Sequence, residues 1–387
     1  MCYKCDNTTL PIFNIVPPEV DTAEPWEPKG VAVKHRKKSD EKLMVPKPRL
    51  IMQNIRYVSS CVHRNTAIDC GNNLWEWGAI SKARLEDGSY SDDIPQNIKF
   101  TPQKIMEQVL SVGCGAWHML CITNDKKLWS LGKNEFGQLG IGSLQKQVSP
   151  TFVMDGVQYV CANEYQSFAI REDHTLWGWG DNEFGTLLGS EEYYCQPKLL
   201  MDSVTYVSCG NQITAAIKRD GTLWAWGNNM RGTIFTQPQY RYCPPTPLMD
   251  EIASVSLPAS ENCDYGLAIT KSGDLYLFGG TKYGSLMNKQ FRKQTERAPI
   301  KLASNISEAY AGNDFILMKD YWGRLFSLGR NDLGQCGNGK SSSFLKKTEL
   351  IMGHTLQAAV GHHHGIGLQE NGNLWIWGGD YGVLVEF

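Results

Sequence analysis

A chain of 387 residues suffices for two average domains or for one large closed repeat body. Its 12 Trp, 16 Tyr, 13 Phe, 38 Gly and 17 Pro supply bulky apolar surface and turns, and 20% charged residues is low for a helical coil, so an all-β chain is favoured. A net charge of -2 gives no long-range pull on nucleic acid or an anionic membrane, and no apolar run approaches the roughly 20 residues that span a bilayer; neither partner is expected.

Residues 1–47 read as a Pro-rich, partly disordered extension. Its start lacks a basic segment followed by an apolar run, so no signal peptide is expected. Cys2 and Cys5 make a single CxxC without a second pair, and KHRKK from Lys34 reads as a solvated basic run. The 12 cysteines are scattered singly, without the dense spacing of a secreted disulfide scaffold, which points to a reducing, cytoplasmic setting.

From residue 48 onward the chain repeats itself. After a Pro-led strand, Pro48–Met52, one motif returns seven times: LWEWG from Leu74, LWSLG from Leu128, LWGWG from Leu176, LWAWG from Leu223, LYLFG from Leu275, LFSLG from Leu325 and LWIWG from Leu374. The spacings average 50 residues. A turn position lies thirteen residues before each leucine, at Cys61, Gly115, Asn163, Gly210, Asn262, Gly312 and Gly361. Spacing is constant inside these blocks and variable after them, as expected where strands must keep register and surface connections need not.

The fourth copy shows the strands most clearly: Thr205–Cys209, Thr214–Ile217, Thr222–Gly227 and the Pro-led Pro247–Met249, with KRDG as a hairpin turn. In the fifth copy the methionine stands four residues further from the leucine, which predicts a bulge or longer turn between Glu251 and Cys263. In LWxWG the two aromatic positions share one face of the strand. A lone four-stranded sheet cannot cover both its faces, whereas radial stacking covers each sheet with the next. The expected fold is therefore an all-β, seven-bladed β-propeller of four-stranded blades over residues 48–387. The last LWIWG has no following Pro-led strand and the first Pro-led strand is left over, so Pro48–Met52 is predicted to complete the last blade.

A glycine signature follows several of the aromatic strands: GKNEFGQLGIG from Gly132, GDNEFGTLLG from Gly180, GNNMRG from Gly227 and GRNDLGQCGNG from Gly329. Together with the Pro-led strand, the Gly-x-x-His turn and the Leu-Trp strand, it resembles the repeat of the regulator of chromosome condensation family. That resemblance implies seven blades closed by strands from both chain ends. It also implies functions ranging over nucleotide exchange on a small GTPase, enzyme inhibition, ubiquitin-ligase substructure and ultraviolet sensing. The first copy departs from it, carrying the segment 79–100 in place of the signature, and only His118 and His364 occupy the family's turn histidine. Kelch propellers would repeat paired glycines, and WD propellers have a shorter period and a Trp-Asp pair; neither fits.

In an up-and-down propeller the seven turns and the variable connections emerge on one face. The candidate partner-binding residues there are His63, Arg64, Trp117, His118, Tyr165, Gln166, Gln212, Asp264, Tyr265, Asp314, Phe315, His362 and His363, with Asn211 and His364 beside them. Aromatic, charged and amide groups on rigid loops suit a protein partner, while any single one is as well suited to satisfying buried backbone. Five histidines, 63, 118 and 362 to 364, fall on blades that closure makes adjacent, but consecutive ones cannot all point inward, and no metal or other cofactor is expected. The recurring methionines read as core, and GKNEFGQLGIG lacks the Lys-Ser/Thr ending of a phosphate loop. No Ser/His/Asp set or carboxylate pair stands out. The expected function is that of a monomeric, non-catalytic protein-binding scaffold; the alternatives are a regulator of a small GTPase working through the segment 79–100, and an inhibitor of a partner enzyme. Ultraviolet sensing would need tryptophans crowded on the disc surface, and only Trp117 occupies a turn.

Overall fold

The computed structural model describes residues 44–79, 98–210, 212–230, 232–235, 241–259, 265–279 and 298–379. The expected extension lies outside them but for its last four residues, as do Asn211, Asp264 and most of the segment 79–100. Strand β1 (Met44–Met52) comes first. Blade 1 holds β2 (Ile55–Cys61), β3 (Arg64–Asp69), β4 (Leu74–Ala79) and β5 (Ile98–Met106). Blade 2 holds β6 (Val109–Cys114), β7 (His118–Thr123), β8 (Leu128–Gly132) and β9 (Gln147–Met154). Blade 3 holds β10 (Val157–Ala162), β11 (Gln166–Arg171), β12 (Leu176–Asp181) and β13 (Tyr193–Met201). Blade 4 holds β14 (Val204–Cys209), β15 (Ile213–Lys218), β16 (Leu223–Gly227) and β17 (Cys243–Met249). Blade 5 holds β18 (Ile252–Ser256), β19 (Tyr265–Thr270), β20 (Leu275–Gly279) and β21 (Ile300–Ala303). Blade 6 holds β22 (Ile306–Ala311), β23 (Phe315–Asp320), β24 (Leu325–Asn331) and β25 (Ser342–Met352), and blade 7 holds β26 (Thr355–Val360), β27 (His364–Gln369) and β28 (Leu374–Gly379).

Each blade is an antiparallel sheet, and β1 supplies the fourth strand of blade 7. Arg49, Leu50 and Met52 stand opposite Ile376, Trp375 and Leu374. Pairing starts at Met44, four residues ahead of the expected Pro48, so β28 has a partner along its whole length. The seam between blades 7 and 1 is tied from both sides. The Gln357 side chain accepts from the Val58 N–H at 3.1 Å and donates to the Val58 carbonyl at 3.2 Å.

All seven blades share a register shift near the start of the innermost strand, for example between Val157 and Tyr159 and between Ile252 and Ser254. A bulge therefore does not distinguish blade 5. Its extra residues lengthen the turn from Ser256 to Tyr265, where blades 2, 3, 4, 6 and 7 need only three residues.

The core lies between blades. The second aromatic of each motif is buried completely, or nearly so, at Trp77, Trp179, Trp226, Phe278 and Trp377. The first, as at Trp75, Trp177 and Trp375, is only half-buried, although both positions share one face of the strand. Its indole N–H serves its own blade: Trp75 donates to Asp69, Trp177 to Thr175 and Trp375 to Gln369, each at 2.9 Å. The second reaches the preceding blade, Trp179 donating to the Gln138 carbonyl at 2.9 Å, Trp226 to Thr186 at 2.7 Å and Trp377 to Gln335 at 3.0 Å. Those carbonyls belong to the glycine signature. A Cβ on Gly140, at φ 71°, would stand 2.7 Å from the Trp179 indole nitrogen, so only glycine lets the loop seat the neighbour's ring.

Two outcomes follow from this packing. Removing residues 1–52 takes away β1 and leaves β28 an open edge, so thermal unfolding followed by circular dichroism should lose its cooperativity; an unchanged melt would reject this closure. Trp179→Ala should destabilise by about 3–5 kcal/mol, measured by urea unfolding, through the lost ring and its bond to the Gln138 carbonyl, which keeps only the Ser167 hydroxyl.

Candidate partner-binding face

The turn between the first and second strands of each blade and the loop between its third and fourth strands emerge on the same face, because consecutive strands run antiparallel. The two are pinned together by one repeated bond. The residue after the motif glycine donates to a turn carbonyl: Lys133 to Trp117 at 2.9 Å, Asp181 to Tyr165 at 3.0 Å, Asn228 to Gln212 at 2.8 Å, Arg330 to Asp314 at 2.7 Å and Gly379 to His363 at 3.0 Å. Gly180 makes the approach possible: its φ is 103°, and a Cβ would sit 2.2 Å from the Tyr165 carbonyl oxygen.

Inside the loops, the asparagine of each Gly-x-Asn is buried and substitutes for secondary structure. Asn134 Oδ1 accepts from the Leu139 N–H at 2.8 Å while its Nδ2 donates to the Ser143 and Gln145 carbonyls; Asn182 and Asn331 do the same in blades 3 and 6. These loops are therefore built to one shape despite having no strands.

The candidate residues divide into two sets. Those that begin the second strand face the interior: Arg64, His118, Gln166, Tyr265, Phe315 and His364 are all buried, so none of them offers a surface to a partner. Each satisfies a seam or its own blade. Arg64 pairs with Glu76 at 3.0 Å; Gln166 accepts from Asn163 Nδ2 at 2.8 Å; the Tyr265 hydroxyl donates to the Gly312 carbonyl of blade 6 at 2.6 Å. His118 Nε2 lies 2.7 Å from Ser167 Oγ of blade 3, and His364 Nε2 lies 2.7 Å from Asn65 Oδ1 of blade 1. Burial, with the Arg64 charge adding to it, pushes the His118 ring down to about 3 and keeps it neutral.

The second set precedes these positions and reaches the face. His63, Tyr165, Gln212, Asp314, His362 and His363 are half-buried there, while Trp117 is 7% exposed, with Lys133 Nζ 4.7 Å above its ring and its N–H 3.3 Å from Glu164. Closure does bring His63 against His362, with ring centroids 5.8 Å apart, and His363 stacks on His362 at 4.2 Å. His118 points into the seam between blades 2 and 3, and His364 Nε2 is engaged by Asn65 and Ser60 of blade 1; among the described residues no group of three ligating side chains could hold a metal ion.

Sequence reading missed an aromatic group on this face. Phe136, exposed, and Phe184, half-buried, occupy the same place in the glycine signatures of blades 2 and 3; Tyr193, at the start of β13, and Tyr242, in the loop before β17, add exposed rings, the latter 58% exposed. Phe136 meets Tyr165 edge-on at 5.0 Å, and the Arg241 guanidinium lies 5.6 Å from both the Phe184 and Tyr242 rings while pairing with Glu183 at 2.8 Å. The available signal was an aromatic recurring in a segment that belongs to no strand. On the axis, the seven innermost strands enclose a cavity of about 210 Å³ into which Tyr57, Tyr159, Tyr206 and Tyr310 reach, their phenols held protonated by burial, Tyr206 at about 12. Ala259, which follows β18 of blade 5, packs against the cluster of Cys61, Cys114, Ala116 and Trp117.

Models of the regulator of chromosome condensation (RCC1) repeat match residues 109–138 and 204–232, and residues 125–170 and 173–217. The human probable E3 ubiquitin-protein ligase HERC6 is 35% identical over 97 residues, which is 24% of this chain and only 9% of that protein. Among solved structures, human WBSCR16 superposes with a TM-score of 0.68 at 16% identity, covering 87% of this chain and 89% of that one. Prp20p of Saccharomyces cerevisiae, described with its binding to Gsp1p and histones, superposes with a TM-score of 0.66 at 16% identity, covering 84% and 82%.

The buried imidazole sets a pH dependence. Between pH 6.5 and about 3 the unfolded chain takes up a proton on His118 that the folded chain refuses. Stability from this site is complete above pH 6.5 and falls by about 1.4 kcal/mol per pH unit below it. Urea titrations at pH 7 and pH 5 should show a shallower loss for His118→Gln than for the parent chain; parallel losses would reject the assignment.

Proposed function

We propose that this chain, a seven-bladed propeller carrying regulator of chromosome condensation repeats, is a non-catalytic platform that holds a protein partner on its loop face, over blades 2 to 4. The observation that carries this reading is an aromatic sector in which Phe136, Tyr193 and Tyr242 are exposed and Tyr165 and Phe184 half-buried, beside loops whose backbones are internally bonded. Aromatic side chains held on a rigid frame lose little conformational freedom on binding and dominate interface energetics. Glu135, Glu164, Glu183, Glu191 and Glu192 surround them, against Lys133 and Arg241, so the sector favours a partner that presents lysine or arginine among apolar side chains.

The family supports a protein partner, and Prp20p is a propeller of this shape described as binding other proteins. The singly spaced cysteines support a reducing, cytoplasmic setting. The nucleotide-exchange alternative rests on the segment 79–100, most of which lies outside the described residues.

The test is quantitative capture of the native partner by the full chain. Phe136→Ala with Phe184→Ala should weaken binding by roughly 30-fold or more, while Trp322→Ala, on the opposite face, should leave it unchanged. Glu135→Lys with Glu183→Lys should slow association and reduce its salt dependence. Equal capture by the double alanine variant and the parent would overturn this placement, and accelerated nucleotide release from a small GTPase would replace the function.

A further inference from the structure

Four of the seven innermost strands meet their neighbours through one recurring device. The fifth residue of the strand offers a side-chain oxygen to a backbone N–H of the next blade. Ser59 accepts from Cys114 at 3.3 Å, Ser208 from Leu257 at 3.0 Å, Ser256 from Ala311 at 3.0 Å, and the Tyr310 hydroxyl from Ala358 at 3.0 Å. In β10 the fifth residue is Cys161, and the residue facing it across the seam from blade 4 is Cys209. Their Sγ atoms lie 2.7 Å apart, within an ångström of the roughly 2.05 Å of a formed disulfide.

We propose that Cys161 and Cys209 are a reversibly oxidised dithiol, a modification site at which a hydroperoxide closes a covalent bond between blades 3 and 4. Both residues line the axial cavity, whose volume of about 210 Å³ accommodates several waters and therefore a molecule as small as hydrogen peroxide. Cys161 is the more exposed of the two and is attacked first. Its sulfur displaces one peroxide oxygen as water and becomes a sulfenic acid; the Cys209 sulfur then attacks that sulfur, the S–O bond breaks, and the hydroxyl leaves as a second water with the Cys209 proton. Two thiols lose two electrons and two protons, and one peroxide is reduced to two waters. Burial holds the Cys209 thiol protonated in the resting state, which suits a resolving partner rather than the initial nucleophile.

Among the described residues Cys61 and Cys114 also pack together, between blades 1 and 2, but Cys114 Sγ lies 3.7 Å from the Arg64 carbonyl; Cys243 is 3.8 Å from Thr246 Oγ1, and Cys336 is 3.3 Å from the Arg330 carbonyl. The 2.7 Å approach of the two sulfurs is what singles out Cys161 and Cys209.

The experiment treats the full reduced chain with hydrogen peroxide and follows intact mass and non-reducing peptide maps. A loss of about 2 Da, a linked peptide pair containing Cys161 and Cys209, recovery on addition of dithiothreitol, and a thermal midpoint that rises by a few degrees on oxidation are expected. Cys161→Ser restores the hydroxyl used at the other seams, so this variant should fold, give the same circular dichroism as the parent and show no such loss of mass; Cys209→Ser, matched in the same way, provides a second check. Peroxide treatment that leaves both thiols alkylatable, adds oxygen to Cys161 while Cys209 stays free, or links other cysteines would overturn the proposal.

Discussion

A four-stranded sheet with apolar residues on both faces is insoluble alone, and the structure depends on each blade covering the next. The commonest tie at the seam is a single backbone bond, from the first N–H of an innermost strand to a turn carbonyl of the blade before it. Val109 bonds Asn72, Val157 bonds Lys126, Val204 bonds His174, Ile252 bonds Gly221, Ile306 bonds Gly273 and Thr355 bonds Gly323. The last such bond, from Ile55 to Gly372 at 3.0 Å, joins blade 1 to blade 7 and is of the same kind as the other six. A ring that repeats one contact has no weak junction, provided that the terminal sheet is completed. β1 completes it by pairing with β28.

That dependence explains the fate of the turn residues. The residue that begins each second strand sits where two blades converge, so its side chain is spent on the seam: an imidazole at His118 and His364, a phenol at Tyr265, a ring at Phe315. Different chemistries fill equivalent sites because the demand is for volume, and any polar group placed there must find a partner. The surface of this face is left to residues one step earlier in the turn and to the tips of the glycine loops, whose buried asparagines hold the frame.

The axial wall is less uniform than the outer packing. Serine hydroxyls bridge three inner seams, a tyrosine bridges a fourth, and two thiols meet at the contact between blades 3 and 4. The Glu308 carboxylate, bonded to the Tyr310 hydroxyl and to Lys319, adds a half-buried charge pair beside that wall. The axial wall and the loop face thus draw on different parts of each blade, so a change in one need not disturb the other.

The periodic Leu-aromatic motif by itself determined the number of blades, the strands of each, and the closure by an N-terminal strand, because register and blade stacking are local demands repeated every 50 residues on average. Residues 63, 165, 212, 314, 362 and 363 were also legible as belonging to one face, since strand direction alone decides that. What the sequence left open was which side chains turn inward. Arg64, His118, Gln166, Tyr265 and Phe315 are polar or aromatic residues in turns and look available, and only the approach of the next blade buries them. The same holds for Phe136 and Phe184, which look like core residues until the loop is folded, and for Cys161 and Cys209, which are 48 residues apart and meet only because adjacent blades bring equivalent strands side by side. Burial between repeats is a property of the assembled ring, and no single repeat contains it.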